Sequence, residues 1–162
     1  MDNLGESQTG FMADLPDRST GGDGFEASQY VAFSIGEQQF CIDIMAVREI
    51  RAWDGATSLP NSADYVRGVI NLRGNVVPVI DLKARFGQGE TDTENGNVVV
   101  IVMIGDKLHG LLVDAVSGIL TVAPDGVAPV PQTGGDNHTG LLSGIITDNE
   151  QMVAVIALDA LN

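Results

Sequence analysis

The sequence predicts a mainly β protein built as two small antiparallel barrels packed on each other. Three observations lead there. Apolar runs of strand length come in pairs around two-residue turns. That pattern occurs twice, as an internal repeat. Helical stretches are short while glycine is abundant, with 20 residues in 162, which suits a fold rich in turns.

Residues 1–28 come first and differ from the rest. They carry Asp2, Glu6, Asp14, Asp17, Asp23 and Glu26 against Arg18 alone, and "STGGDG" at 19–24 has the composition of a linker. Phe11, Met12, Leu15 and Phe25 follow no sustained period, so a disordered acidic tail is expected. From Tyr30 the texture turns to strand. "YVAFSI" and "QFCID" flank Gly36-Glu37, a compact hairpin signal. In "IDIMAVREI", Ile44, Val47 and Ile50 stand three apart, which permits a helical turn; the β-branched residues equally permit a strand. "NSADYVRG" predicts one short helix, with Asn61 or Ser62 as N-cap and Gly68 near its end. "GVINLRGNVVPVIDL", residues 68–82, reads as a second hairpin. Pro78 has no N–H to give to a ladder, so its strand is expected at a sheet edge or at a bulge. "VVVIVMI" and "LHGLLV" then flank Gly105-Asp106 like the first hairpin.

That likeness extends along the chain. Residues 30–50 laid on 99–119 coincide at Val31/Val100, Ile35/Ile104, Gly36/Gly105, Val47/Val116 and Ile50/Ile119. Residues 68–84 laid on 144–160 coincide at Gly68/Gly144, Ile70/Ile146, Val77/Val153, Val79/Val155 and Leu82/Leu158. The second half is longer, and "PVPQTGGDNHTG" at 129–140 is the place for the extra residues. The expected organisation is a tail over 1–28 and one domain over 29–162. That domain holds two similar halves, roughly 29–92 and 97–162, which are free to intertwine. Halves of about 65 residues are marginal alone and should pack together, with function at their contact or in the groove beside it. Val79 and Val155 should then occupy equivalent buried places.

Composition narrows the function. The formal net charge is −14, with eight Lys and Arg in all. Binding to nucleic acid or to an anionic membrane surface needs a basic face, so neither is expected. Cys41 is the only cysteine and reads as a small buried hydrophobe in a reducing compartment. The start of the chain lacks the apolar core of a signal peptide, and the longest apolar run, Val98–Ile104, is too short to cross a bilayer. A cytoplasmic protein without direct membrane insertion is expected.

A small all-β enzyme is the rival class. His109 and His138 are the only histidines, and no Cys/His cluster has zinc spacing. "STGGDG" and "TGGDNHTG" lack the lysine of a phosphate loop. Asp43, Asp81 and Asp114 read as strand-end hydrogen bonders rather than a catalytic pair. No catalytic residue, metal ligand or cofactor is expected.

The repeat points to one special place. Both halves share the apolar positions of the second hairpin, but its tip is Leu72-Arg73-Gly74-Asn75 in one and Asp148-Asn149-Glu150-Gln151 in the other. Shared positions are scaffold; the unshared tip can carry something particular to the first half. Arg73 presents a planar fork of donors there. The plainer reading is a solvated turn residue, or an ion pair with Asp81 or Glu49.

The stretch "GVINLRGNVVPVIDL" resembles the signature of the CheW family, the coupling proteins of bacterial chemosensory arrays. "FSIGEQQFCIDIMAVREI", "LPNSADYVRGVINLRG" and "VVVIVMIGDKLHGLLVDAVSGIL" are similar to the family's flanking segments, so the resemblance covers about 29–161. It implies two SH3-like five-stranded antiparallel β-barrels packed together, with short helices. It also implies a non-catalytic adaptor between the cytoplasmic tip of a methyl-accepting chemoreceptor and the regulatory domain of a CheA histidine kinase. Such an adaptor is recruited to membrane-associated receptor arrays. A paralogue serving a pilus or second-messenger array is the alternative within the family. Val47, Glu49, Gly68 and Arg73 match motif positions associated with a receptor groove between the barrels. Val47 would supply apolar contact and Arg73 polar contact, although the match of Val47 to Val116 also suits plain core. The resemblance assigns no kinase-binding residue. Family members often continue into a C-terminal helix, for which "LDALN" offers only a stub.

Overall fold

The computed structural model describes residues 27–131 and 139–161. The acidic stretch up to residue 26, His138 and most of the segment 129–140 lie outside the described residues. The strands are β1 (Ser28–Ile35), β2 (Gln38–Asp43), β3 (Val47–Ala52), β4 (Val66–Leu72), β5 (Asn75–Asp81), β6 (Val98–Ile104), β7 (Lys107–Val113), β8 (Ala115–Val122), β9 (Val127–Ala128), β10 (Leu142–Asp148) and β11 (Gln151–Ile156). One α-helical turn, α1 (Leu82–Arg85), follows β5.

The strands form two sheets, ordered β8-β1-β2-β11-β10-β9 and β3-β6-β7-β5-β4. The sequence repeat equates β1 to β5 with β6, β7, β8, β10 and β11. Applying that exchange turns the second order into the first, with β9 as the addition. These are the two SH3-like barrels of the expected fold class, and each is assembled from both halves of the chain. The halves join at four places: β1–β8 and β3–β6 are antiparallel like the hairpins, whereas β2 runs parallel to β11, and β5 to β7. A lone hairpin is marginal in water, so each needs a neighbour on its open edge, and here the other half supplies it.

The equivalence reaches single residues. Val79 lies opposite Gly68 and Gly110, while Val155 lies opposite Gly144 and Cys41, and both valines are buried. Even the irregularities correspond. The register slips between Val66 and Gly68 on β4 and between Leu142 and Gly144 on β10.

Three apolar clusters follow from strand alternation. Ala32, Cys41, Ile146, Val153 and Val155 fill one barrel, and Leu72, Val77, Val79, Val99, Ile101 and Leu112 the other. The opposite faces meet between the sheets, where Phe33, Ile35, Phe40, Val100, Val102 and Ile104 pack together. Strands β1 and β6 are therefore buried on both faces, which is why "YVAFSI" and "VVVIVMI" are almost continuously apolar. Cys41 is fully buried, and burial pushes its thiol up to about 12, so it behaves as an unreactive hydrophobe.

Three local expectations are settled. "IDIMAVREI" is divided, with a 3-10 turn over Ile44–Ala46 and strand β3 after it. "NSADYVRG" is not a helix. Residues 60–65 make turns, Asn61 takes φ 62°, and Val66 already starts β4. β-branched Val66 and Val69 gain more from pairing with Ile80 and Pro78 than a single helical turn could return. Pro78 lies on an inner strand, between β7 and β4, and the register slip falls on β4 instead. The strand tolerates it because Val69, opposite, directs both its N–H and its carbonyl away to Thr57. Pro78 is thus in a non-hydrogen-bonded pair, and the ladder to β7 starts only at Val79.

Candidate functional site at the tip of the β4–β5 hairpin

The loop between β4 and β5 has two central residues, Arg73 with φ 52° and Gly74 with φ 91°. Two positive φ values mark a type I′ turn, whose twist matches the flanking strands. Glycine adopts this state freely, but arginine is uncommon there. Leu72, 3% exposed, anchors the base of the turn inside the barrel, whereas the Arg73 side chain is 72% exposed.

Arg73 turns towards β3. Its Nη2 donates to Glu49 Oε1 at 2.6 Å, and Arg51 Nη1 stands 3.8 Å from Glu49 Oε2. The Arg73 hydrogen bond, with the added charge of Arg51, holds the Glu49 carboxyl below its ordinary value. Strands β3 and β4 lie at opposite ends of their sheet order, so this contact spans the barrel's closure. Backbone hydrogen bonds close the same seam: Thr57 N–H donates to Val69 O at 2.9 Å, and Val69 N–H to Thr57 O at 2.8 Å.

Gly68 lies at that seam with φ 143°, and a Cβ there would stand 2.2 Å from Thr57 O. Its contribution is the close approach of two backbones. Val47 opens β3, pairs with Val102 and is half-buried against the central cluster. The structure thus brings Glu49 and Arg73 into contact, places Val47 at the start of the strand bearing Glu49, and leaves Gly68 inside the seam. An open groove beside the central cluster is lined by Gln38, Gln39, Phe40, Phe86, Leu142 and Met152, and none of the four residues borders it. A smaller pocket beside the tip has Arg51, Trp53, Thr57, Ile70 and Asn71 in its wall.

Of the two ion pairs open to Arg73, the one with Asp81 does not form. Asp81 is 1% exposed and accepts from Arg67 Nε at 3.2 Å, Thr91 N at 2.8 Å, Thr91 Oγ1 at 2.6 Å and Ala84 N at 3.3 Å. It caps α1 and ties the following loop to β4, which is structural work. Asp43 and Asp114 likewise accept from backbone N–H groups, of Met45 and Gly36. Among the described residues no group of three metal-ligating side chains comes together, and no helix is long and apolar enough to cross a membrane.

Sequence reasoning missed Arg51 and Asn71. Arg51 stands two residues from Glu49 on the same strand, and strand alternation would have put both on one face. Asn71 sits within the quoted signature, and its Oδ1 accepts the Gly74 N–H at 2.8 Å.

Residues 29–162, which include every described strand but the first residue of β1, match the sequence model of the CheW-like domain. The chain belongs to the CheW family. A relative named probable chemotaxis protein CheW, from Rhizobium etli, is 45% identical over 133 residues, covering 82% of this chain and 86% of the relative. Chemotaxis protein CheW from Rhizobium meliloti is 40% identical, covering 82% and 85%. A crystal structure of the scaffolding protein TtCheW from Thermoanaerobacter tengcongensis superposes with a TM-score of 0.75 at 32% identity, covering 83% of this chain and 86% of that one. Within this CheW-family chain the Glu49–Arg73 contact joins a residue of the signature stretch, Arg73, to one on β3 outside it, and the internal repeat shares neither.

Proposed function

We propose that this CheW-family scaffold couples methyl-accepting chemoreceptors to a CheA-type histidine kinase, without catalysing a reaction. The observation that carries the reading is the family match across residues 29–162, supported by relatives named for chemotaxis over most of their own length. The receptor's cytoplasmic tip would meet the surface around Glu49 and Arg73, with Val47 adding apolar contact at the start of β3. An exposed arginine that uses one hydrogen bond internally keeps further donors for a partner's carboxylates or carbonyls. Gly68 supports that surface by letting the seam close. The protein itself inserts no segment into the membrane and reaches the array through its partners.

The test is a titration of the full-length protein against a receptor signalling fragment and, separately, against the kinase regulatory domain. Saturable binding to both, in one ternary complex, is expected. Binding to neither partner would overturn the adaptor reading.

A further inference from the structure

We infer that Asn71 is a positioning residue for Arg73, holding the hairpin tip in the backbone state from which the guanidinium reaches Glu49. Its bearing on receptor binding rests on the function proposed above; its bearing on the Glu49–Arg73 contact does not.

Asn71 is the exposed residue just before Leu72 at the end of β4. Its side chain spans the turn to the Gly74 N–H at 2.8 Å. A backbone N–H only donates, so the side-chain atom facing it is the carboxamide oxygen. The two ends of that hydrogen bond bracket Leu72 and Arg73. Leu72 is fixed from below by burial in the barrel, and Asn71 fixes the turn from above. Arg73 between them stands at φ 52°, a conformation that arginine does not favour unaided. Short polar side chains that bond to nearby backbone N–H groups stabilise such turns.

The second barrel gives the contrast. Its tip has the same geometry, with Asn149 at φ 52° and Glu150 at φ 69°. Asparagine itself occupies the first left-handed place there, a residue type that tolerates it. Thr147 stands where Asn71 stands, and among the described residues no side-chain hydrogen bond joins it to its turn. The first barrel puts an arginine in the strained place and an asparagine two residues earlier to hold it. The lowered titration of Glu49, caused first by its hydrogen bond from Arg73, reports whether that placement is achieved. Arg51 is the other charged group facing Glu49 and is the same in every variant below.

The experiment follows the Glu49 carboxyl by NMR titration in the wild type, Asn71→Ala, Asn71→Ser and Arg73→Ala, with melting curves for each. Asn71 is exposed, so all four should fold alike. The Glu49 titration should move up in Arg73→Ala and part of the way in Asn71→Ala. It should stay near the wild type in Asn71→Ser, whose hydroxyl still accepts. Asn71→Ala should weaken receptor-fragment binding about 2–10-fold, the effect of one neutral hydrogen bond, and cost nothing further in the Arg73→Ala background. An unchanged Glu49 titration in Asn71→Ala overturns the inference, and so does an affinity loss that persists without Arg73. If Arg73→Ala itself leaves receptor affinity intact, the receptor reading fails, while the Glu49 titration still decides the role of Asn71.

Discussion

The two barrels share strand order, register slips and turn geometry, yet their second hairpins end differently. One tip carries Arg73 joined to Glu49; the other carries Asn149 and Glu150. Backbone geometry therefore does not separate them, and side chains do. A second difference guards against reading every unshared residue as functional. Asp81 and Ala157 occupy matching places, and their N–H groups donate to the matching carbonyls of Tyr65 and Leu141, each at 2.7 Å. Asp81 is nevertheless buried in a closed hydrogen-bond network, whereas Arg73 is open to solvent. An unshared residue that faces inward, with its bonds satisfied, stabilises its own barrel. One that faces outward, with donors to spare, is available to a partner.

The comparison can be broken at several points. The largest effect is expected at Gly68, where an added Cβ meets backbone at a positive φ. Gly68→Ala should cost roughly 3 kcal/mol or more in urea unfolding, through combined strain and overpacking. In Gly144→Ala the nearest atom is a methyl of the Val127 side chain, 2.3 Å away, and about 1–2 kcal/mol is expected. Equal costs would mean that the first seam is no tighter than the second.

Asp81→Ala should lose roughly 2–4 kcal/mol, since it removes the acceptor of Arg67 Nε and of the Thr91 N–H and hydroxyl, leaving Arg67 only its bond to the Thr91 carbonyl. That figure is kept below the range for a fully buried pair because the Arg67 side chain is 25% exposed. Receptor affinity measured on the folded fraction should not change, which would separate the inward difference from the outward one.

Arg73→Ala should lower the melting curve only slightly, as for an exposed ion pair, and reduce receptor affinity by about 1–3 kcal/mol, the range for a charge-assisted hydrogen bond. Arg73→Glu should be worse, by repulsion of Glu49 and of an acidic partner. Glu150→Ala on the other tip is the control and should bind as the wild type. A loss as large at Glu150 would place the partner across both tips.

Smaller effects concern pH and the acidic stretch. Glu49 is held below its ordinary value in the folded protein, so its stabilisation is present above the unfolded carboxyl's pKa, about 4.3. It fades as pH falls through the lower folded value. The pH dependence of stability below about 4.3 should therefore be shallower in Arg73→Ala than in the wild type. Least of all should change on removal of residues 1–28, which the family match excludes. A 29–162 protein melting within a few degrees of the full chain is expected, and a large loss would show that the acidic stretch packs on the barrels.

The sequence by itself determined the hairpins, the duplication, the buried valines and the tip where the halves part company. All of these rest on local signals: alternation along a strand, two-residue turns, and identity between positions a fixed distance apart. Tertiary structure decided which strands sit together. The parallel joints β2–β11 and β5–β7 unite edges far apart in the chain, and no local pattern says which open edge a hairpin will meet. The same reason explains the two misplacements. "NSADYVRG" is short enough for either state, and pairing with β5 drew its end into a strand. Pro78 looks like an edge residue until Val69 is seen to spend its hydrogen bonds on Thr57. The choice between Asp81 and Glu49 as the partner of Arg73 was also made in three dimensions. Asp81 is turned inward and already satisfied by Arg67 and Thr91, while barrel closure carries Glu49 across the seam to the tip.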